Sequence, residues 1–217
     1  MQFDVITIFP HALDSYFNES ILKRASLEKR IAVNFHDLRQ WTGDKHKTVD
    51  DSPYGGGAGM IMKVEPIDKA ITEIKGQNPH LKSKVIVFSA KGKPFNQQVA
   101  REYAGLERLI MVCGRYEGID QRVIDYIADE ELSIGKYVLT GGELPAAVVI
   151  DAVTRLLPYV LGNQDSLTDE SFGSSGESEY PQYTRPECYK GWRVPDVLIS
   201  GDHRRIAEWK EKNKRTQ

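Results

Sequence analysis

Ser133–Ala146 reads SIGKYVLTGGELPA. An apolar turn leads into a short β-prone segment, Tyr137-Val138-Leu139, then a double glycine, then Glu143 and Pro145 at the head of a long apolar run. Glycine admits backbone conformations that a Cβ blocks and lets a ligand lie against the main chain. Pro145 fits the first turn of a helix, where its missing N–H leaves nothing unsatisfied, and Glu143 complements the positive end of the helix dipole. Taken alone, the stretch is equally well a tight strand-to-helix turn or a backbone-lined ligand loop.

Two further stretches decide between these: GGGAGM at Gly55–Met60 and GRYEGID at Gly114–Asp120. Three such loops beside apolar runs point to one pocket built from several loops. Leu109–Cys113 (LIMVC) is continuously apolar and runs straight into GRYEGID, the pattern of a parallel strand buried on both faces. Strands alternating with helices over residues 1–160 predict an α/β domain, a mostly parallel sheet with helices on both faces. Pockets in such sheets lie beyond the carboxyl ends of the strands. A GxGxxG fingerprint near the N-terminus and a GxxxxGK[ST] phosphate loop are both absent, which removes the best support for nicotinamide and nucleoside-triphosphate readings.

Working outward, Phe3–Ile8 and Ala32–His36 read as strands, and Ser20 as the cap of a helix to about Lys29. Arg39–Ala58 reads as a long loop, the kind that carries function. Pro66 opens a helix with Ile67, Ala70, Ile71 and Ile74 on one face. Lys84–Ser89 is a strand and Ala90–Phe95 a loop; Asn96 caps a helix to about Tyr103, and Asp120 caps another through Ile127. Glu130–Ile134 returns as a strand. In AAVVIDAVTRLL after Pro145, Asp151 and Arg155 are the polar exceptions, four apart on one face. Leu161–Tyr180 is polar, acidic and rich in Ser and Gly, a linker or mobile lid. Residues 181–217 form a small helical domain, with Ser200-Gly201-Asp202 leading its last helix.

Composition sets the outer limits. A chain of 217 residues suits one main domain with a small appendage. Cys113 and Cys188 lack a CxxC partner and the five histidines lack ligand spacing, so neither a disulfide framework nor a metal site is expected. No apolar run reaches membrane-spanning length, and MQFDVITIFP lacks the basic flank of a signal peptide; a cytoplasmic protein is expected. A net charge of −2 does not advertise a nucleic-acid binder, although the chain from Lys190 onward is modestly basic.

GGGAGM, GRYEGIDQR, SIGKYVLTGGELPA, PQYTRP and VLISGDHRRIAEW, in this order, resemble the bacterial tRNA (guanine-N(1)-)-methyltransferases, members of the knotted SPOUT methyltransferase superfamily. The resemblance covers nearly the whole chain. It implies a trefoil knot near the C-terminal end of the first domain, a homodimer with the active site at the subunit interface, and an anticodon stem-loop of tRNA as partner. It also implies S-adenosyl-L-methionine as methyl donor, the guanine just 3′ of the anticodon as acceptor, and leaves a magnesium requirement open.

Motif by motif, the resemblance places the donor on Ser89, Gly114, Tyr116, Gly118, Ser133, Ile134, Gly135, Tyr137, Leu139, Gly141, Gly142 and Pro145. Arg155 occupies the position of an arginine that stabilises charge growing on the guanine carbonyl; its bland alternative is an ion pair with Asp151. The general base is Asp169 or Glu170: counting from Arg155 favours Glu170, and preserved side-chain length favours Asp169. Glu117 faces the guanine or organises the pocket, with Arg115, Asp50, Tyr54 and the PQYTRP segment as further lining and Arg185 near phosphate. The chain departs from the family at Ala90-Lys91-Gly92-Lys93, usually Pro-Gln-Gly and a polar residue, and at Lys136, usually acidic. Its second domain is also short for the family. A SPOUT methyltransferase with another RNA target, and a non-catalytic RNA-binding protein of the same fold, remain the alternatives.

Overall fold

In a computed structural model, residues 1–161 and 179–214 are described. The chain divides into two compact units, Met1–Leu161 and Gly162–Gln217.

The apolar runs of the first unit become one sheet of five parallel strands. These are β1 (Gln2–Thr7), β2 (Ala32–Asp37), β5 (Ser83–Pro94), β6 (Arg108–Val112) and β7 (Glu130–Ser133), in the order β2-β1-β6-β5-β7. β6 is buried along its whole length, as its unbroken apolar sequence requires. Two-residue strands β3 (Asp50–Asp51) and β4 (Ile61–Met62) pair antiparallel outside this sheet.

Helices cover both faces. Phe3, Val5, Leu109 and Met111 join α2 (Ser20–Leu27), α4 (Gln97–Ala104) and α6 (Glu143–Arg155) in one core. Ile6, Ile110, Val85 and Val87 join α3 (Val64–Gln77) and α5 (Gln121–Tyr126) in the other. Ile67, Ala70, Ile71 and Ile74 are the buried stripe of α3, the spacing that an amphipathic helix demands. Asn96 accepts from the Val99 N–H at 3.0 Å and Asp120 from the Arg122 N–H at 2.9 Å, so both expected caps are present. Long loops follow the carboxyl ends of β6 and β7.

Three local expectations need correction. Ser20 is no cap: it is the first residue of α2, at φ 48°, after Glu19, and no side chain caps that helix. A short helix α1 (Asp14–Phe17) precedes it. Ala90–Pro94 is strand rather than loop, because β5 shifts register between Phe88 and Lys93 and then pairs with Leu132 and Ser133. Gly92 makes this approach feasible, since a Cβ there would stand 2.6 Å from the Leu132 nitrogen. Tyr137-Val138-Leu139 is irregular, not β, and all three side chains are exposed.

The second unit holds more than helices. α7 (Asp196–Ile199) and α8 (His203–Lys212) follow a hairpin of β8 (Cys188–Tyr189) and β9 (Trp192–Arg193). Lys190 at φ 52° and Gly191 at φ 87° form its turn, the positive-φ pair that matches strand twist. Asp202 caps α8 by accepting from the Arg204 and Arg205 N–H groups.

Candidate functional site

The loops that follow β6 and β7, together with Val87–Lys91 of β5, enclose a cavity of about 450 Å³, within the range of small-molecule sites. Every position named above for the methyl donor, from Ser89 to Pro145, lines it, together with Arg115 and Glu117. The loops are fastened to one another by main chain. Gly142 N–H donates to the Gly114 carbonyl at 3.0 Å, and a Cβ on Gly142 would stand 2.6 Å from Cys113 Cα. Only glycine lets these two backbones touch.

The GGGAGM stretch is joined to the same wall from outside. Met62 N–H donates to the Gly118 carbonyl at 2.9 Å and Glu117 N–H to the Met60 carbonyl at 3.0 Å. The Glu117 side chain lies over Gly59, where a Cβ would meet its Cγ at 2.4 Å. Gly59 is thus a support for Glu117, and the first glycine stretch does not line the cavity.

Tyr116 adopts φ 59° between two loop glycines, a strained conformation of the sort that concentrates at functional sites. Burial and the neighbouring Asp50 carboxylate push its hydroxyl above the ordinary value. The loop around Asp50, where β3 and β4 pair, therefore faces the rim near Tyr116. Tyr54 is fully exposed.

On the opposite wall, Ser133 Oγ lies 3.3 Å from the Ala90 carbonyl and 3.0 Å from the Gly135 carbonyl, either of which can accept its one proton. This side chain ties the 133–135 turn to the far end of β5. Lys91 lines the cavity and its ammonium donates to Gln121 Oε1 at 3.3 Å. Lys93 pairs with Glu130 at 3.0 Å.

Arg155 is not brought to this cavity. It closes α6 at the end away from Gly142 and Pro145. Asp151, one turn earlier, accepts a hydrogen bond from the Tyr16 hydroxyl, which with burial raises that tyrosine to about 12. Asp169 and Glu170 lie outside the described residues. Among the described residues no cluster of three His, Cys, Asp or Glu could hold a metal ion, and no helix is long and apolar enough to cross a membrane. Both cysteines are free, Cys113 buried and Cys188 exposed.

The arrangement suits a small-molecule ligand that lies against the main chain of the glycine loops. Sequence reasoning placed Glu143 at a helix start but found neither Thr7 nor the 2.6 Å hydrogen bond that joins the two. They are 136 positions apart, and no local pattern links them.

A family model described as tRNA (Guanine-1)-methyltransferase TrmD matches residues 1–217. Among curated proteins, the chain is 52% identical over 212 residues to a tRNA (guanine-N(1)-)-methyltransferase of Citrifermentans bemidjiense, covering 98% of this chain and 84% of the relative. It is 50% identical over 212 residues to one of Dehalococcoides mccartyi (98% and 85%) and 48% identical over 212 residues to one of Geobacillus kaustophilus (98% and 86%).

Proposed function

Because the chain belongs to the tRNA (guanine-1)-methyltransferase family, we propose that it methylates N1 of the guanine immediately 3′ of the anticodon in tRNA, using S-adenosyl-L-methionine. The observation that carries this reading is the cavity itself: the glycine-rich loops that follow β6 and β7 converge on it beside β5. The donor supplies an electrophilic methyl on a sulfonium, so the protein mainly positions reactants and handles one proton. Positioning of this kind is worth up to about 7–11 kcal/mol.

In this reading the main chain at Gly114, Ile134, Gly135, Gly141 and Gly142 holds the donor, and Tyr116, Tyr137 and Leu139 enclose it. Glu117, braced on Gly59, orients the guanine. Arg155 stabilises the negative charge growing on the guanine carbonyl, and Asp169 or Glu170 removes the N1 proton. The base must be splayed from its loop to reach such a pocket.

Arg155 meets a cavity only if a second copy supplies it. α6 presents Leu144, 57% exposed, and Val148, 44% exposed, on one stripe. An antiparallel partner helix on that stripe would set Arg155 of each chain near the other's cavity, which supports the homodimer. The trefoil knot belongs to the same reading, supported by β5 continuing past Phe88 onto β7 and by Gly142 packed on Cys113. So do the division into a methyltransferase domain (1–160), a lid (161–180) and a tRNA-binding domain (181–217), and a cytoplasmic location. Whether magnesium is needed is answered by chelator titration of the same assay.

Labelled-methyl transfer to a transcript with guanine after the anticodon, against one with adenine there, tests the proposal. Label is expected only on the guanine transcript. Label mapped to another nucleotide would favour a different RNA target; no transfer and no donor binding would leave an RNA-binding protein.

A further inference from the structure

Glu143 opens α6 with its carboxylate 4% exposed. A buried carboxylate needs charged or hydrogen-bonding partners, and this one draws them from two other elements. Thr7 Oγ1, at the end of β1, donates to Oε1 at 2.6 Å. Arg115 Nε donates to the same oxygen at 3.3 Å, and Arg115 Nη2 stands 2.8 Å from Oε2. This second approach is an ion pair rather than an aligned hydrogen bond, which Oε2 otherwise lacks.

The partners are themselves held. Thr7 Oγ1 accepts from the Phe9 N–H at 2.9 Å, Arg115 Nη1 donates to the Thr140 carbonyl at 3.2 Å, and the guanidinium lies 4.6 Å from the Phe9 ring centroid. Gly141 leaves the space through which the pair passes: a Cβ there would stand 2.2 Å from Arg115 Nε and 2.6 Å from Glu143 Oε2. Arg115 lines the cavity, and Glu143 does not.

We infer that Glu143 is a positioning residue that acts through Arg115, clamping the 114–118 loop to the 137–142 loop and setting the width of the cavity between them. Its dipole role at the helix start is secondary. The inference rests on the reading of this cavity as the methyl-donor site, and it predicts that donor affinity depends on a group the donor never touches.

Two measurements on the full-length protein test it. In hydrogen–deuterium exchange without ligand, Glu143→Gln is expected to speed exchange in residues 114–118 and 137–142 by about tenfold or more, leaving β1 and β6 protected. Unchanged exchange, or a uniform rise across the domain, would overturn the clamp whatever the cavity binds. Thr7→Val, which removes one hydroxyl, is expected to loosen the same loops to a smaller degree and serves if Glu143→Gln fails to fold.

The second measurement is calorimetry with S-adenosylhomocysteine. Binding by the unaltered protein tests the donor-site reading separately. Glu143→Gln and Arg115→Gln are each expected to weaken binding about tenfold, and the double variant no further, because each removes the same clamp. Additive losses, or Glu143→Gln affinity equal to wild type, would sink the positioning role.

Discussion

Pro145 and Arg155 stand at opposite ends of α6, the proline lining the cavity from the first turn and the arginine closing the last. Ten residues of helix separate them by about 15 Å. A side chain at the far end cannot reach across that length to a ligand at the near end. The spacing that puts Asp151 and Arg155 on one face is real, but that face runs away from the cavity of its own chain.

Under the proposed dimer, donor binding and the arginine come from different chains, so complementation should follow. Arg155→Ala and Gly142→Ala are each expected to abolish turnover alone, the latter because its Cβ would stand 2.6 Å from Cys113 Cα. Refolded together in equal amounts, half the dimers are mixed and carry one complete site. About a quarter of wild-type methyl transfer should return in an isologous assembly. No recovery above the separate variants would show that the arginine serves its own chain's cavity or none.

Two glycines should respond to alanine with opposite signs. At Gly92 a Cβ would meet the Leu132 nitrogen and the Glu131 carbonyl at 2.6 and 2.7 Å, backbone atoms that cannot swing aside. Gly92→Ala is expected to cost about 1–3 kcal/mol, in the manner of an overpacked core. Gly76 sits in α3 with nothing within 4 Å of a new Cβ, so Gly76→Ala should gain up to about 1 kcal/mol of helix propensity. Urea unfolding of both variants checks the pair, and equal effects would contradict the packing described for the end of β5.

How far the sequence could be read follows from which interactions are local. β6 and α3 were legible because burial imposes a period on neighbouring residues, and Asn96 and Asp120 because a cap sits within three residues of what it caps. The cavity was legible from its glycine loops, with the residue assignments carried by family resemblance. The far part of β5 was not, since Lys91-Gly92-Lys93-Pro94 has the composition of a loop and becomes strand only by pairing with β7. Glu143 looked like a helix-dipole residue because Thr7 and Arg115, its partners, lie on other elements.

Arg108 is buried on β6, its Nη1 donating to the Ile74 carbonyl at 2.8 Å, near the end of α3, with Nε unpartnered. It satisfies an orphan carbonyl at the end of a helix, where no further turn supplies a donor. Arg108→Met removes a costly buried charge but leaves that carbonyl dry. The second effect should win, with a loss of about 1–3 kcal/mol and earlier exchange at the C-terminal turn of α3. A variant as stable as wild type would mean that the carbonyl finds water.

Glu130 predicts an acid limb in stability. Burial favours its neutral form, but hydrogen bonds from Lys84, Lys93 and Tyr103 outweigh that and hold it below the ordinary 4.5. A carboxylate whose native pKa is depressed stabilises the fold above its unfolded value and loses that contribution as pH falls through the native one. Wild type should therefore lose stability below about pH 4.5 as the links from β5 and α4 to β7 are protonated away. Glu130→Gln should be less stable than wild type at neutral pH, and the gap should close as the solution is acidified. Urea midpoints at neutral and acid pH read this directly; a gap that stays constant would show that the Lys84 and Lys93 pairs carry no net stabilisation.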